Sequence, residues 1–298
     1  MHMTGTHSSE QPLVSIILIF LDEERFLADA VNSILEQTFT NWELILVDDG
    51  STDRSTELAK HWAKEYPEKI SYTNHPGHAN KGMSASRNLG FRLANGSLIA
   101  LLDADDVWLK NKLAEQVEIM ARFPEATLLY GLAKYWHDWD GKSQTTKKNT
   151  VPRGSKTDFL AKPPELLLSA YPLGQETAPC PSCTIFRREL IDRVGGFEES
   201  FRGMYEDQAF LTKVYLKEPI YVSSRVWIKY RIHPDSCCSQ VSADGKYHHY
   251  RAFFLQWFWR HMLENRVVNI RVWAALIKAQ LPYRWPRINR LINKMKSK

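Results

Sequence analysis

Hydrophobic and polar residues along the chain repeat in two alternating rhythms. Val14-Ser15-Ile16-Ile17-Leu18-Ile19-Phe20 is an apolar, β-branched run, as expected of a strand covered on both faces of a parallel sheet. Phe26, Leu27, Ala30, Val31, Ile34 and Leu35 then recur at helical spacing, and Leu44 to Val47 returns to strand. A second cycle follows: a helix presenting Leu58, Ala59, Trp62, Ala63 and Tyr66, a strand over Ile70 to Thr73, a helix over Ser84 to Ala94, and a buried strand over Leu98 to Leu102. Beyond it, the pattern predicts a helix from Leu109 that Pro124 stops, a strand over Thr127 to Tyr130, and a long polar loop from His137 to Asp158. Thr184 to Phe186 reads as a short strand, Arg188 to Val194 as a helix ended by Gly195-Gly196, and Asp207 to Tyr215 as a further helix. No repeat at solenoid spacing is present.

Such βα alternation predicts an α/β fold with a Rossmann-like, mostly parallel central sheet flanked by helices. In open sheets of this kind ligands sit beyond the carboxyl ends of the strands. Three polar clusters fall at those ends: Asp22-Glu23-Glu24, Asp48-Asp49-Gly50-Ser51 and Asp103-Ala104-Asp105-Asp106. The chain thus directs carboxylates toward one rim.

Composition narrows the reading. The 298 residues are 44% hydrophobic, enough for a large core and against disorder. The longest apolar stretch is far shorter than the roughly 20 residues of a membrane-crossing helix. The polar first residues do not read as a secretory signal, so a cytoplasmic address is expected. Four cysteines, Cys180, Cys183, Cys237 and Cys238, are too few for a disulfide scaffold and read as reduced core residues, although Cys180-Pro181-Ser182-Cys183 has C-x-x-C spacing.

Net charge is +5, but residues 246–298 hold twelve Lys or Arg against one acid, Glu264, which leaves −6 for the rest. A basic tail is joined to an acidic body. Within the tail Ile270, Trp273, Ala274 and Ile277 predict one apolar helical face, and Ile288, Leu291, Ile292 and Met295 a second, with Arg287, Arg290 and Lys294 mainly opposite the latter. Trp257, Trp259, Trp273 and Trp285 add amphipathic rings. The composition suits either an interfacial helix on anionic lipid or aromatic packing against the catalytic body or a second subunit in a homo-oligomer.

Asp103 and Asp105, two apart in an extended segment, project to one side and repel each other unless a cation sits with them. Oxygen ligands suit Mg²⁺ or Mn²⁺, which bridges diphosphates. An acidic cap on the following helix would use the same residues.

The surrounding phrases resemble the family 2 glycosyltransferases of GT-A fold. They run in order through Ser33-Ile34-Leu35-Glu36-Gln37-Thr38-Phe39, Val47-Asp48-Asp49-Gly50-Ser51-Thr52-Asp53, Asn80-Lys81-Gly82, Ser86-Arg87-Asn88-Leu89-Gly90 and Leu102-Asp103-Ala104-Asp105-Asp106-Val107-Trp108. Val194-Gly195-Gly196-Phe197, Tyr205-Glu206-Asp207 and Arg231-Ile232-His233-Pro234 continue the likeness, which covers roughly residues 12–240. The resemblance implies a nucleotide-sugar-binding half over 12–110, an acceptor-binding and catalytic half over 111–240, and a tail over 241–298 outside it.

It also implies roles. Asp49 would accept a hydrogen bond from the nucleotide base, agreeing with the acceptor chemistry of a carboxylate, while Asp48 holds the turn. Asp105 would bind the metal and Asp103 assist it or hold the donor ribose; Arg87 would reach the donor or these acids. Asp207 would be the base, with a swap to Glu206 left open, and His233 would supply an imidazole to the metal or phosphate. Leu21 and Asp22 stand where many relatives have tyrosine and asparagine, so Leu21 borders the donor without aromatic stacking. The implied activity is a metal-dependent, inverting transfer of one sugar, UDP-linked by preference, to a saccharide or lipid-linked hydroxyl in surface polysaccharide or glycolipid assembly. Two rivals use parts of the same pattern. A metal-dependent nucleotidyltransferase would need a Gly-rich basic loop where Asp22-Glu23-Glu24 stands, and a nucleic-acid-binding protein acting through the tail leaves the acidic rim unexplained.

Overall fold

The computed structural model describes residues 11–141, 149–151, 156–284 and 286. The first strand, β1 (Val14–Phe20), is buried at every position, which is why its sequence shows no polar alternation. Helix α1 (Leu27–Leu35) buries Leu27, Ala30, Val31 and Ile34 against the sheet. Strand β2 (Trp42–Asp48), helix α2 (Ser55–Glu65), strand β3 (Ile70–Asn74), helix α3 (Met83–Leu93) and strand β4 (Leu98–Asp103) follow as the two cycles predict. These strands lie parallel in the order β3-β2-β1-β4.

Parallel order stops at β4. A two-residue strand, β5 (Val107–Trp108), precedes helix α4 (Lys112–Arg122), so the helix expected from Leu109 begins one turn later. Strand β6 (Leu128–Trp136) continues six residues past the predicted Tyr130, into the segment adjoining the polar loop. Part of that loop, residues 142–148 and 152–155, lies outside the described residues. After β7 (Phe159–Ala161) and α5 (Glu165–Ser169), β8 (Thr184–Arg187) enters antiparallel between β4 and β6. Helices α6 (Glu189–Val194) and α7 (Glu206–Lys217) lead to β9 (Ile220–Arg231), the longest described strand and one the hydrophobic pattern does not predict. It pairs with β6 in parallel and with β5 and β7 antiparallel, completing a nine-stranded mixed sheet. Its burial pattern changes phase around Ser224 and Arg225, and the β6 pairing slips register there, so neither alternation nor an unbroken apolar run is visible.

The tail is not a separate appendage. After α8 (Cys237–Ala243), helix α9 (Tyr247–Glu264) buries Phe254, Leu255, Trp257, Phe258 and Met262, with Trp257 edge-on to Phe201 at 5.6 Å and Phe254 stacked on Tyr205 at 5.2 Å. Helix α10 (Ile270–Arg284) packs on α9 and α5 through Val272, Leu276 and Gln280, the last donating to the Leu255 carbonyl at 2.9 Å. Trp259 and Trp273 meet at 4.9 Å inside this hairpin. Trp257, Trp259 and Trp273 thus take the packed alternative; of the predicted stripe Ile270, Trp273, Ala274 and Ile277, Trp273 packs inward while Ile270, Ala274 and Ile277 are exposed. Trp285 and the second stripe, Ile288 to Met295, lie outside the described residues. No described helix is long and apolar enough to cross a membrane.

Lys112 is buried without exposure beneath this sheet, its Nζ 2.7 Å from Gln116 Oε1 and 3.9 Å from the Trp108 ring centre. Burial lowers its pKa to about 7. An unfolded lysine titrates near 10.5, so from pH 7 to about 10 the unfolded chain binds more protons and stability rises with pH. Lys112→Met should lose that contribution: its stability relative to the native chain should fall by up to about 1.4 kcal/mol per pH unit across this window. Urea unfolding at pH 7, 8.5 and 10 measures the difference; parallel curves would refute the neutral buried amine.

Candidate active site

The seven residues singled out from the sequence, Leu21, Asp49, Arg87, Asp103, Asp105, Asp207 and His233, all line one cleft of about 1100 Å³ at the carboxyl ends of β1, β2 and β4. They come from separate elements, save that Asp103 and Asp105 both stand at the end of β4. Leu21 follows β1 and is 40% exposed. Asp22 beside it takes positive φ, and its Oδ1 accepts from the Thr52 and Asp53 amides, tying the end of β1 to the turn after β2.

In that turn Asp48 is fully buried and accepts from the Gly50 and Ser51 amides, Thr56 Oγ1 and Tyr72 Oη, which makes it the structural member of the pair. Gly50 has φ +93°, and a Cβ there would lie 2.8 Å from the His78 carbonyl oxygen, so the turn requires glycine. Asp49 is bound to the opposite loop: its Oδ1 accepts from the Lys81 and Gly82 amides and Ser86 Oγ, and Oδ2 from the Gly82 amide at 2.9 Å. A carboxylate has about four acceptor positions, two on each oxygen, so Oδ2 retains capacity toward the cleft.

Arg87, on α3, is 2% exposed and joins two acids from distant parts of the chain. Nη2 donates to Asp103 Oδ1 at 2.7 Å and Nη1 to Glu206 Oε1 at 3.1 Å, with the guanidinium 4.9 Å from the Phe197 ring centre. Of the two destinations expected for Arg87, donor or acids, it takes the acids. Burial alone would lower its pKa, but the two carboxylates more than offset this and raise it.

One guanidinium does not balance the site. Glu206 is pushed up to about 7 by burial and then by neighbouring Asp207; Asp103 and Asp207 are also raised, chiefly by burial. Glu23, a cleft-lining acid that the sequence reading left without a role, is pushed up to about 8 by burial and then by Asp105, Asp53 and Asp103. Asp106 behind them is raised well above its usual range by burial and the same acids. Excess negative potential is thus concentrated where β4 ends.

Asp105 and His233 form the second contact of the site, Oδ2 to Nε2, at 3.1 Å. Arg231 fixes both from behind. Its Nε donates to the Asp105 carbonyl at 2.7 Å, its amide to Asp106 Oδ1, and its Nη2 to Asp29, while Phe26, Trp136 and Trp139 surround the guanidinium at 4.6 to 5.2 Å. Among the described residues no three His, Cys, Asp or Glu side chains are arranged to hold a metal ion alone. One carboxylate and one imidazole amid surplus acid fit Mg²⁺ or Mn²⁺ shared with a substrate diphosphate and water, the usual coordination of such ions, and not an all-protein cage.

Asp207 opens α7 beside this centre, its carboxylate accepting from the Gln208 amide at 2.7 Å and Gln208 Nε2 at 3.1 Å. The helix begins after Tyr205, which has φ +77°, a rare conformation for an aromatic residue. Its hydroxyl bonds that of Tyr171, which bonds Tyr247 of α9 at 2.9 Å. Cys180 and Cys183 also line the cleft, as free thiols with Sγ atoms 3.2 Å apart, and Ser182 between them accepts from the Asp103 amide through Oγ.

Arg87→Met leaves two enclosed carboxylates unpaired and should cost about 3–5 kcal/mol of stability in urea unfolding. Combining it with Glu206→Gln should recover part of that loss, since the pair is coupled. Strict additivity of the two substitutions would count against the bridge.

A family model described as "Glycosyl transferase family 2" matches residues 15–195. An uncharacterised glycosyltransferase of Nostoc sp. is 30% identical over 181 residues, 61% of this chain and 52% of that protein. The match spans about half, or less, of the length of the first curated relatives. Among solved structures, S. aureus TarS in complex with UDP-GlcNAc superposes with a TM-score of 0.59 at 19% identity, covering 89% of this chain and 79% of that one. The mannosyltransferase PcManGT of Pyrobaculum calidifontis, in complex with GDP-Man and Mn²⁺, gives 0.57 at 17%, covering 97% and 81%. At such identities the two structures speak for the fold, that of GT-A glycosyltransferases. With the family model covering more than half of its length, the chain belongs to glycosyl transferase family 2.

Proposed function

We propose that this glycosyltransferase moves one sugar from a nucleoside-diphosphate donor, UDP-linked by preference, to a hydroxyl of a saccharide or lipid-linked acceptor in surface polysaccharide assembly, with inversion at the anomeric carbon. The observation that carries the reading is the convergence of Asp49, Arg87, Asp103, Asp105, Asp207 and His233 on one cleft.

In this reading Asp49 accepts from the uracil N–H through Oδ2, held still by the amides of Lys81 and Gly82. Leu21 offers an aliphatic side chain to the base where an aromatic platform would stack. Asp103, oriented by Arg87, takes the donor ribose. Asp105 and His233 would hold Mg²⁺ or Mn²⁺. When bound, such an ion supplies positive charge against the negative charge that grows on the departing diphosphate. Arg87 keeps Asp103 and Glu206 fixed so that the acids do not rearrange as the donor enters.

Asp207 removes the proton from the acceptor hydroxyl as its oxygen attacks. What supports this choice over Glu206 is that Glu206 is committed to Arg87, whereas among the described residues Asp207 accepts hydrogen bonds from its neighbour Gln208. Burial raises the proton affinity of Asp207, as a general base requires. Inversion, which the family resemblance implies, corresponds to a single displacement in which the acceptor oxygen replaces the diphosphate at the anomeric carbon.

Two measurements test the reading. UDP with Mn²⁺ should raise the melting temperature of the native chain and fail to do so for Asp105→Ala; a shift equally large without metal contradicts the assignment of Asp105 and His233. Asp207→Asn should lower turnover, read as UDP release from UDP-sugars with an active acceptor, by about 10²- to 10⁴-fold while leaving the UDP-dependent shift in place. Turnover equal to the native chain would move the base elsewhere.

A further inference from the structure

Helix α10 is apolar on two sides, and among the described residues only one of them is covered. Val272, Leu276 and Gln280 face protein, while Ile270, Ala274 and Ile277, spaced i, i+4 and i+7, form an outward stripe. Ile270 is 79% exposed, and Val268 in the preceding turn and Leu263 at the end of α9 are 91% and 57% exposed. Burial elsewhere in the tail is thorough, with Phe254, Phe258, Met262, Val272 and Leu276 all at zero exposure, so these open aliphatics form a local exception. Exposed cations flank them: Arg260, Arg266, Arg271 and Lys278, against one exposed acid, Glu264.

We propose that the α9–α10 turn and the outer stripe of α10 dock the protein on an anionic lipid surface, with Leu263, Val268, Ile270 and Ile277 entering the acyl boundary and the four cations meeting headgroup phosphates. The charge pattern selects this occupant. A second copy of the chain meeting this face about a two-fold axis would oppose the same cations. Residues 287–298 contain five Lys or Arg and no acid, so in sequence they add to the cations of the patch and do not neutralise them. An anionic bilayer offers hydrocarbon and negative charge together, and each buried aliphatic side chain adds to the attraction of the cations.

The inference does not depend on the assignment of the cleft, and its test reads lipid binding alone. Full-length protein is floated with vesicles of phosphatidylcholine containing phosphatidylglycerol, and with vesicles of phosphatidylcholine only. Co-flotation is expected with the anionic vesicles, weakened by added salt, and reduced by about tenfold or more in Val268→Glu/Ile270→Glu. Both positions are exposed, so the variant should melt at the native temperature, which separates lost docking from lost folding. A native chain that ignores anionic vesicles, or binds neutral ones equally, overturns the proposal. So does a double variant that floats as well as the native chain, or a native dimer that Ile270→Glu dissociates.

Discussion

The structure depends on one buried cation. Arg87 comes from the parallel half of the sheet, Asp103 from the end of its last strand, and Glu206 from a helix more than a hundred residues later, yet all three meet within 3.1 Å. A guanidinium suits this position because its planar fork presents separate N–H donors to two carboxylates at once, which an ammonium does only as a point charge. Removed from water, each partner would be costly alone; together they fix how α3, β4 and α7 meet. The ion bridge therefore sets the distance between the rim of the parallel half of the sheet and the start of the helix that carries Asp207.

That bridge leaves a surplus of negative charge, and the surplus is what gives the cleft its chemistry. Glu23, Asp105, Asp106 and Asp207 crowd around the Arg87 bridge, and burial first, with neighbouring acids second, raises the pKa values of Glu23, Asp106 and Asp207. A fold that only needed stability would disperse such charges. Here Arg231 does the reverse: wrapped by Phe26, Trp136 and Trp139, it donates from Nε to the Asp105 carbonyl and from its amide to Asp106 Oδ1, and so draws β9 to the tip of β4. His233 arrives beside Asp105 as a result. Rigid placement of acids around such a surplus is the preorganisation that the proposed cation and donor diphosphate would use.

Much of this was legible in the sequence because strand ends and motifs coincide. The apolar runs at Val14 and Leu98 mark strands by themselves, and the acids that follow them have no core role to play. What escaped had physical reasons. Strand β9 interrupts its own pattern at Ser224 and Arg225, where the pairing slips, and its second half carries charged and aromatic residues on edges that only tertiary pairing reveals. Lys112 reads as a surface residue from its type; nothing local shows that a tryptophan face and a glutamine oxygen enclose it. In α10 the periodicity is correct, but a helix with aliphatics on two sides offers two stripes to a pattern search, and packing covers Val272 and Leu276 while Ile270 and Ile277 stay exposed. Arg87 was found, but its second acid, Glu206, could not be named as its partner from local spacing.

The tail lies outside the matched family region but not outside the structural logic of the site. A left-handed backbone at an aromatic residue costs on the order of 1–3 kcal/mol and persists only where surrounding contacts over-determine it. At Tyr205 those contacts come largely from α9: Phe254 stacks on the ring, and Tyr247 holds Tyr171, whose hydroxyl meets that of Tyr205. The next two residues are Glu206 and Asp207. Helix α9 thus fixes the turn from which the acids project, while its partner α10 keeps its outer aliphatics uncovered. Packing on the inner face explains why the tail is folded at all, and it does so without using the residues on the outer one. Those outer residues are therefore free to answer to a partner, since exchanging them for charge would leave the Tyr205 turn and the Arg87 bridge untouched.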